Sequence, residues 1–368
     1  MHPTSVPPTA VAVLPANIVD RDQRWIGEWL NEYRNSPNTH AVYQKEARRL
    51  LLWLHHQGLA LAQLRRQHLQ EYEAFLATPP ADWCGPARPL GHPQWRPFSG
   101  PLAPRSIELA LRSLKSLFVY LEAEGHLTRN PLAARARLRT GRSSTPRRVV
   151  RYLSRADMAI LLDYLDNLPR DTPRQTEHYL RARWLLLLLY GTMIRRSETI
   201  GHAGQLRRQD DAHWLSVIGK GGKPRDVPLP PPLLEALADY RRHKGLSPWP
   251  RGGDETPLLM RIASMAPVAA KHVYLIVRTL CLGAAAHAQQ RGELESAQRL
   301  RQASTHWLRH TGASHLAETV DLKVLQDNLG HASIATTGLY RHVEDRARHA
   351  ATLAGFSLPS QGQDKIKE

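Results

Sequence analysis

The chain has 368 residues, 42% of them hydrophobic, a formal net charge of +17 and a pI near 10.3. That length exceeds what one core usually organises, so two domains are expected, and the charge points to a polyanion, nucleic acid being the commonest partner of so basic a protein. Its two cysteines, Cys84 and Cys281, are too few and too far apart for a disulfide framework or a four-ligand zinc site, which suits a reducing cytoplasm.

Residues 1–19 carry four prolines and no basic n-region, so they read as a flexible tail rather than a signal peptide. The longest apolar run, Trp184 to Tyr190, is too short to span a bilayer, and no basic amphipathic helix or lipidation signal accompanies the charge, so no membrane partner is expected. Four helical patterns follow within residues 20–128. Trp25, Ile26, Trp29, Leu30 and Tyr33 form one stripe; Tyr43, Ala47, Leu50 and Leu54 form a second, opened by Thr39 as N-cap and closed by Gly58. Leu69, Tyr72, Phe75 and Leu76 form a third. Residues 79–104 are rich in Pro and Gly and predict an irregular loop insert. A fourth helix runs from about Ser106, with Ile107, Leu111, Leu114, Phe118 and Leu121 on one face, Arg112 and Lys115 on the other, and Gly125 as the stop.

Residues 129–151 hold eight arginines and no acidic residue. A solvated linker is the plain reading; a strap along phosphates accounts better for unopposed charge in a basic protein, and makes Arg135, Arg137, Arg139, Arg142, Arg147 and Arg148 DNA-binding candidates with Arg112 and Lys115. The second domain, residues 152–352, opens on Ser154 as an N-cap with Asp157 completing a capping box, followed by a helix Met158 to Leu165. A buried helix spans about Glu177 to Tyr190. HWLSVIGKGGKPRDVPLP predicts two strands joined by a Gly-rich turn that carries Lys220 and Lys223, with Arg225 just beyond. Helices are predicted at Leu233 to Tyr240 and Lys271 to about Ala286, and residues 289–304 read as a polar extension. Residues 353–368 form a tail in which Leu353, Phe356 and Leu358 suit either docking on a neighbouring subunit or a disordered terminus. No internal repeat is evident, so the fold is mainly α with a small antiparallel β-sheet.

The chemistry concentrates between Thr305 and His342, where His306 and Arg309 stand at i and i+3 and so share a helical face, followed by Gly330, His331 and Tyr340. Imidazole, guanidinium and phenol together suit a phosphodiester, with Tyr340 as nucleophile. Each has a duller reading: Tyr340 as a core or surface tyrosine, His331 as a helix cap, Lys220 as a turn lysine, Arg196 as a surface cation, Trp307 and Leu308 as core. No carboxylate set is spaced for two Mg²⁺ ions, and GKGGK sits in a hairpin turn rather than between strand and helix, so neither a metal nor a nucleotide cofactor is expected.

TMIRRSE at Thr192 to Glu198, GKGGKPRDVPL at Gly219 to Leu229, HWLRHT at His306 to Thr311 and LGHASIATTGLY at Leu329 to Tyr340 match, in order, the boxes of the tyrosine recombinase (phage integrase) family, which this chain resembles. Asn130 and Pro131, with the preceding helices, extend the likeness to that family's SAM-like core-binding domain. The resemblance implies a helical core-binding domain and a mixed catalytic domain closing as a clamp on DNA, in an Xer-like or resolvase-like two-domain member. It implies that Arg195 and Arg309 clamp the scissile phosphate, that His306 moves a proton or bonds the phosphate, that His331 hydrogen-bonds it, that Lys220 protonates the departing 5′ oxygen, that Glu198 orients neighbouring basic groups and that Tyr340 forms a 3′-phosphotyrosine. It further implies inverted-repeat DNA sites and a homotetramer on DNA, alone or with a second recombinase, acting in integration, excision or resolution. Type IB topoisomerase-like relaxation and a non-catalytic DNA-binding regulator share the same residues and stay open. Met193 stands where the family has Gly, and Gly222 where it often has Asn.

Overall fold

The computed structural model describes residues 16–133, 151–219 and 222–330, in two compact units divided between Pro146 and Arg147. The first unit is four helices, α1 (Ala16–Asn31), α2 (Pro37–His56), α3 (Arg66–Ala77) and α4 (Pro104–Ala123). The i, i+3, i+4 stripes meet in one core: Trp29, Leu50, Trp53, Leu114, Leu117 and Phe118 are essentially inaccessible, and Trp29 stacks on Tyr43 at 4.9 Å. Thr39 is not the cap of α2. The helix starts two residues earlier, with Pro37 in the first turn, where a residue lacking an N–H donor costs nothing. The Pro/Gly-rich loop 79–104 is irregular, as expected, but it belongs to the core: Trp83 and Phe98 are 2% and 1% exposed, Arg49 lies over the Phe98 ring at 4.5 Å, and its Nε donates to Pro97 O at 3.0 Å.

The second unit carries α5 (Arg155–Asp166), α6 (Pro173–Thr192), α7 (Pro231–His243), α8 (Ala270–Gln290), α9 (Leu294–Gln302), α10 (Thr305–Leu316) and α11 (Leu322–Leu329) around a three-stranded antiparallel sheet. The sheet runs β1 (Leu206–Gln209), β2 (Ala212–Ile218), β3 (Pro224–Pro228), and its register puts Leu206 and Val227 on either side of Leu215, so that one buried apolar row crosses all three strands. The Ser154 capping box forms: Ser154 Oγ accepts from the Asp157 amide at 3.1 Å and the Asp157 carboxylate accepts from the Ser154 amide at 2.9 Å. The segment expected as a polar extension contains α9, which buries Ala297 and Leu300 and sends Arg299 to the fully buried Asp157 carboxylate, at 2.8 and 3.0 Å. Two guanidinium bonds and a cap satisfy a charge that burial alone would not tolerate. No helix among the described residues is long and apolar enough to cross a membrane.

Candidate active site

The site begins where α6 ends. Thr192 closes the helix, and Met193 takes the left-handed conformation (φ 54°, ψ 24°), which turns the chain so that Arg195 leaves the helix in an extended conformation. A glycine reaches this conformation freely; a side chain does so at a cost of about 1 kcal/mol. Met193 is nonetheless 1% exposed, and it packs with Ala313, Leu325 and Leu329 in a small hydrophobic cluster separate from the main core. Its side chain thus joins the end of α6 to α10 and α11. Gly312 on α10 faces the same spot, and a Cβ there would collide with the Tyr190 carbonyl and the Met193 side chain.

Arg309, on α10 and 3% exposed, donates from Nη1 to the Met193 carbonyl and from Nη2 to the Leu329 carbonyl at 2.7 Å. The guanidinium is thereby fixed between the end of α6 and the end of α11. Arg195 is held by Glu198, whose carboxylate accepts from the Arg195 amide at 2.6 Å and from its Nη1 at 3.0 Å. The same carboxylate takes both terminal nitrogens of Arg225, at 2.9 and 2.8 Å, while Arg225 Nε donates to Asn328 O at 3.0 Å. Burial alone would raise the Glu198 pKa, but the Arg225 and Arg195 hydrogen bonds and charges outweigh it and hold the carboxyl below its ordinary value. Four donors on two oxygens fill the carboxylate's accepting capacity. Two guanidinium groups against one carboxylate leave a net positive charge, and the partly exposed one is Arg195, whose side chain is 33% exposed against 10% for Arg225.

Arg225 is therefore not the DNA-facing residue expected from the sequence: all three of its nitrogens are engaged internally, and it acts as a strut. It rests against two glycines. A Cβ on Gly219 would lie 3.2 Å from Arg225 Nη1 and 3.9 Å from Arg195 Nη1, and one on Gly330 would lie 2.9 Å from Arg225 Cδ. The turn after β2 and the end of α11 thus both reach the arginine pair. Gly222, at φ 75°, occupies a left-handed position that asparagine also tolerates, which explains the exchange noted in this box. Gly330 ends α11 at φ 62°, and the chain leaves it toward His331.

His306 lies at the exposed side of α10, with its Nε2 2.9 Å from Nε2 of His310. Burial and the charges of Arg309, Arg151 and Arg195 push its pKa down, so the neutral imidazole is favoured. Thr311 ties α10 to the start of the unit, accepting from the Leu153 amide at 2.9 Å and donating to Trp307 O at 2.8 Å. Trp307 and Leu308 are core. Arg196 is exposed, with its guanidinium 6.0 Å from the Tyr274 ring centre.

Arg195, Glu198, His306 and Arg309 are thus brought to one region by α6, α10 and α11. Lys220, His331 and Tyr340 lie outside the described residues, as do Arg135, Arg137, Arg139, Arg142, Arg147, Arg148 and the tail 353–368. Arg112, Lys115 and Lys223 are exposed; Arg112 pairs with Glu108 at 2.7 Å. The roles of Arg225 and of the Met193 carbonyl were not legible beforehand. The only signal was that Arg225 shares a box with Lys220. Among the described residues no group of three or more His, Cys, Asp or Glu could hold a metal ion.

The model of the phage integrase family matches residues 151–347. The tyrosine recombinase XerC of Methylobacterium sp. (strain 4-46) is 31% identical over 339 residues, covering 89% of this chain and 90% of the relative. XerC of Rhodospirillum centenum (strain ATCC 51521 / SW) is 32% identical over 359 residues, with 94% and 89% covered. In fold, the chain is similar to the XerH site-specific recombinase bound to palindromic difH substrate, with a TM-score of 0.61 at 17% identity and 94% and 92% of the two chains covered. It is likewise similar to the Tn1549 transposon integrase in complex with a circular intermediate DNA, with a TM-score of 0.57 at 16% identity, covering 90% and 99%.

Proposed function

This chain belongs to the phage integrase family and is a tyrosine site-specific recombinase of the Xer-like type, and from that premise we propose how its own residues carry out the reaction. Arg195 and Arg309 receive the two non-bridging oxygens of a scissile phosphate, for which the planar, permanently charged guanidinium fork is suited. The phenol oxygen of Tyr340 attacks phosphorus in line, its proton passing to a neutral acceptor, the role we assign to His306. The bond to the 5′ oxygen breaks, and Lys220 supplies the proton that makes the leaving group a 5′-hydroxyl. His331 hydrogen-bonds the same phosphate. The product is a 3′-phosphotyrosine, which conserves the bond energy, so a 5′-hydroxyl from a partner duplex reverses the step without ATP.

Charge develops on the phosphoryl oxygens during the displacement, and donors already fixed in place stabilise it most. The observation that supports this reading best is the fixing of both arginines by groups other than substrate, Arg309 by two carbonyls and Arg195 by Glu198. The partner is a DNA duplex with inverted-repeat core sites, on which four protomers assemble, and Arg112, Lys115, Lys223 and the Arg-rich stretch 129–151 meet its phosphates. The family's presence in integration, excision and resolution leaves all three as settings for this chain.

The test uses a duplex selected by the protein from a random pool and nicked so that cleavage releases a short fragment and traps the covalent adduct. Wild type is expected to give a denaturation-resistant protein–DNA adduct that Tyr340→Phe abolishes while retaining DNA binding. An adduct of undiminished yield with Tyr340→Phe would overturn the assignment of the nucleophile.

A further inference from the structure

Away from these arginines, the second unit has an open pocket of about 650 Å³ bounded by α5, α6, α8 and residues 261–268. That volume is in the range of small-molecule sites. Its wall is mainly apolar, with Leu168, Val268 and Ile276 typical, and its polar side chains include Arg181, His178, Arg261 and His272, with no acidic residue in the lining. Arg181 is the unusual one. It projects from α6, its Nε is enclosed by protein with no hydrogen-bond partner, and no ion pair holds its guanidinium among the described residues. The nearby carboxylate, Glu177 one turn earlier, is occupied by Lys244 and by the Ala263 amide at 3.0 Å. Burial lowers the pKa of Arg181, with Tyr240 and Glu177 acting in the opposite direction. An Nε–H withdrawn from water without an acceptor is unfavourable, and a carboxylate entering the cavity would relieve it by bonding Nε and a terminal nitrogen together.

We propose that this cavity binds a small amphipathic monoanion, a carboxylate carried on a hydrocarbon chain or ring, with the acid on Arg181 and the hydrocarbon along Leu168, Val268 and Ile276. The Arg181 guanidinium, with its Nε unpartnered, matches one carboxylate in a bidentate pair. The ligand would touch α6, which continues into Met193 and Arg195, and α8, which packs on the turn Arg196–Thr199.

Decanoate, titrated calorimetrically into the full chain below its micellar range, is the probe. One site per chain is expected, weakened at least tenfold by Arg181→Met and abolished by Ile276→Trp, which fills the cavity and keeps the cation. Decanol, equal in chain length but uncharged, should bind at least tenfold more weakly than decanoate. Should Arg181→Met fail to fold, Ile276→Trp and the decanol comparison decide alone. Undetectable decanoate binding, binding unchanged by Ile276→Trp, or equal affinity for decanol would overturn the proposal.

Discussion

Replacing Met193 by glycine separates the two things this residue does, one through its backbone and one through its side chain. The backbone sits at φ 54°, ψ 24°, a conformation that glycine adopts about 1 kcal/mol more readily than methionine. Against that relief stands the loss of a side chain 1% exposed and packed on Ala313, Leu325 and Leu329. Truncating a buried methionine costs about 2–5 kcal/mol, so the net destabilisation by Met193→Gly should be about 1–4 kcal/mol. For a unit of this size that is a fall in Tm of roughly 2–16 °C. Met193→Ala is the sharper comparison. It removes nearly the same contacts but keeps a Cβ in the left-handed region, so it should be about 1 kcal/mol less stable than Met193→Gly, the reverse of their usual order in a helix. Thermal and urea unfolding of the two variants measure this directly. If alanine proved equal or superior to glycine, the account of a strained turn held by packing would be refuted. Both variants should also slow covalent cleavage, because the Met193 carbonyl is one of the acceptors that hold Arg309.

Glu198→Gln leaves the enclosed Arg225 facing a neutral amide, and removing one partner of a buried pair costs about 3–5 kcal/mol; urea unfolding should show it, with partial recovery in the double variant Glu198→Gln, Arg225→Met. The Glu198 pKa is depressed in the folded chain, so its contribution is complete above the ordinary glutamate range and is lost as pH falls through the lower folded value; acid unfolding of Glu198→Gln should be correspondingly less steep. His306 is held below the ordinary histidine pKa, so the cleavage rate should stay level as pH falls toward about 6.5 and decline only below it, and a decline beginning well above that pH counts against neutral His306 as proton acceptor. Because Arg112 and Lys115 are exposed, alanine at either should weaken DNA binding without sequence preference and lower the slope of log Kd against log salt by about 1, as read by fluorescence anisotropy over a salt series.

What could be read in advance followed from how strongly each segment's pattern depends on burial. The helix at Pro173–Thr192 was visible because Trp184, Leu185, Leu186, Leu188 and Leu189 are all buried and apolar. α9 was not, because only Ala297 and Leu300 go inward and the rest of the segment is polar. β1 was missed for the same reason, with Leu206 its one buried residue. In the site, the pairing of His306 and Arg309 was legible because an i, i+3 pair on α10 is a local property, and Arg309 reaches the end of α6, just before Arg195, through the Met193 carbonyl. The engagement of Arg225 was hidden, because its partners stand 27 residues before it, at Glu198, and 103 after it, at Asn328. Nothing in the type of a single arginine distinguishes a strut from a phosphate ligand.

That strut bears on which substitutions this chain can accept together. Gly219 and Gly330 are 111 positions apart in separate boxes, yet each lies against the same guanidinium arm. A side chain at either position would press on Arg225, the arginine that shares Glu198 with Arg195. The glycine in each box is thus answerable to one arginine in a third segment, and three distant positions behave as a single unit of inheritance: shortening Arg225 should make an alanine at Gly219 less harmful, although Arg195 would by then have lost half of the assembly that holds its carboxylate in place.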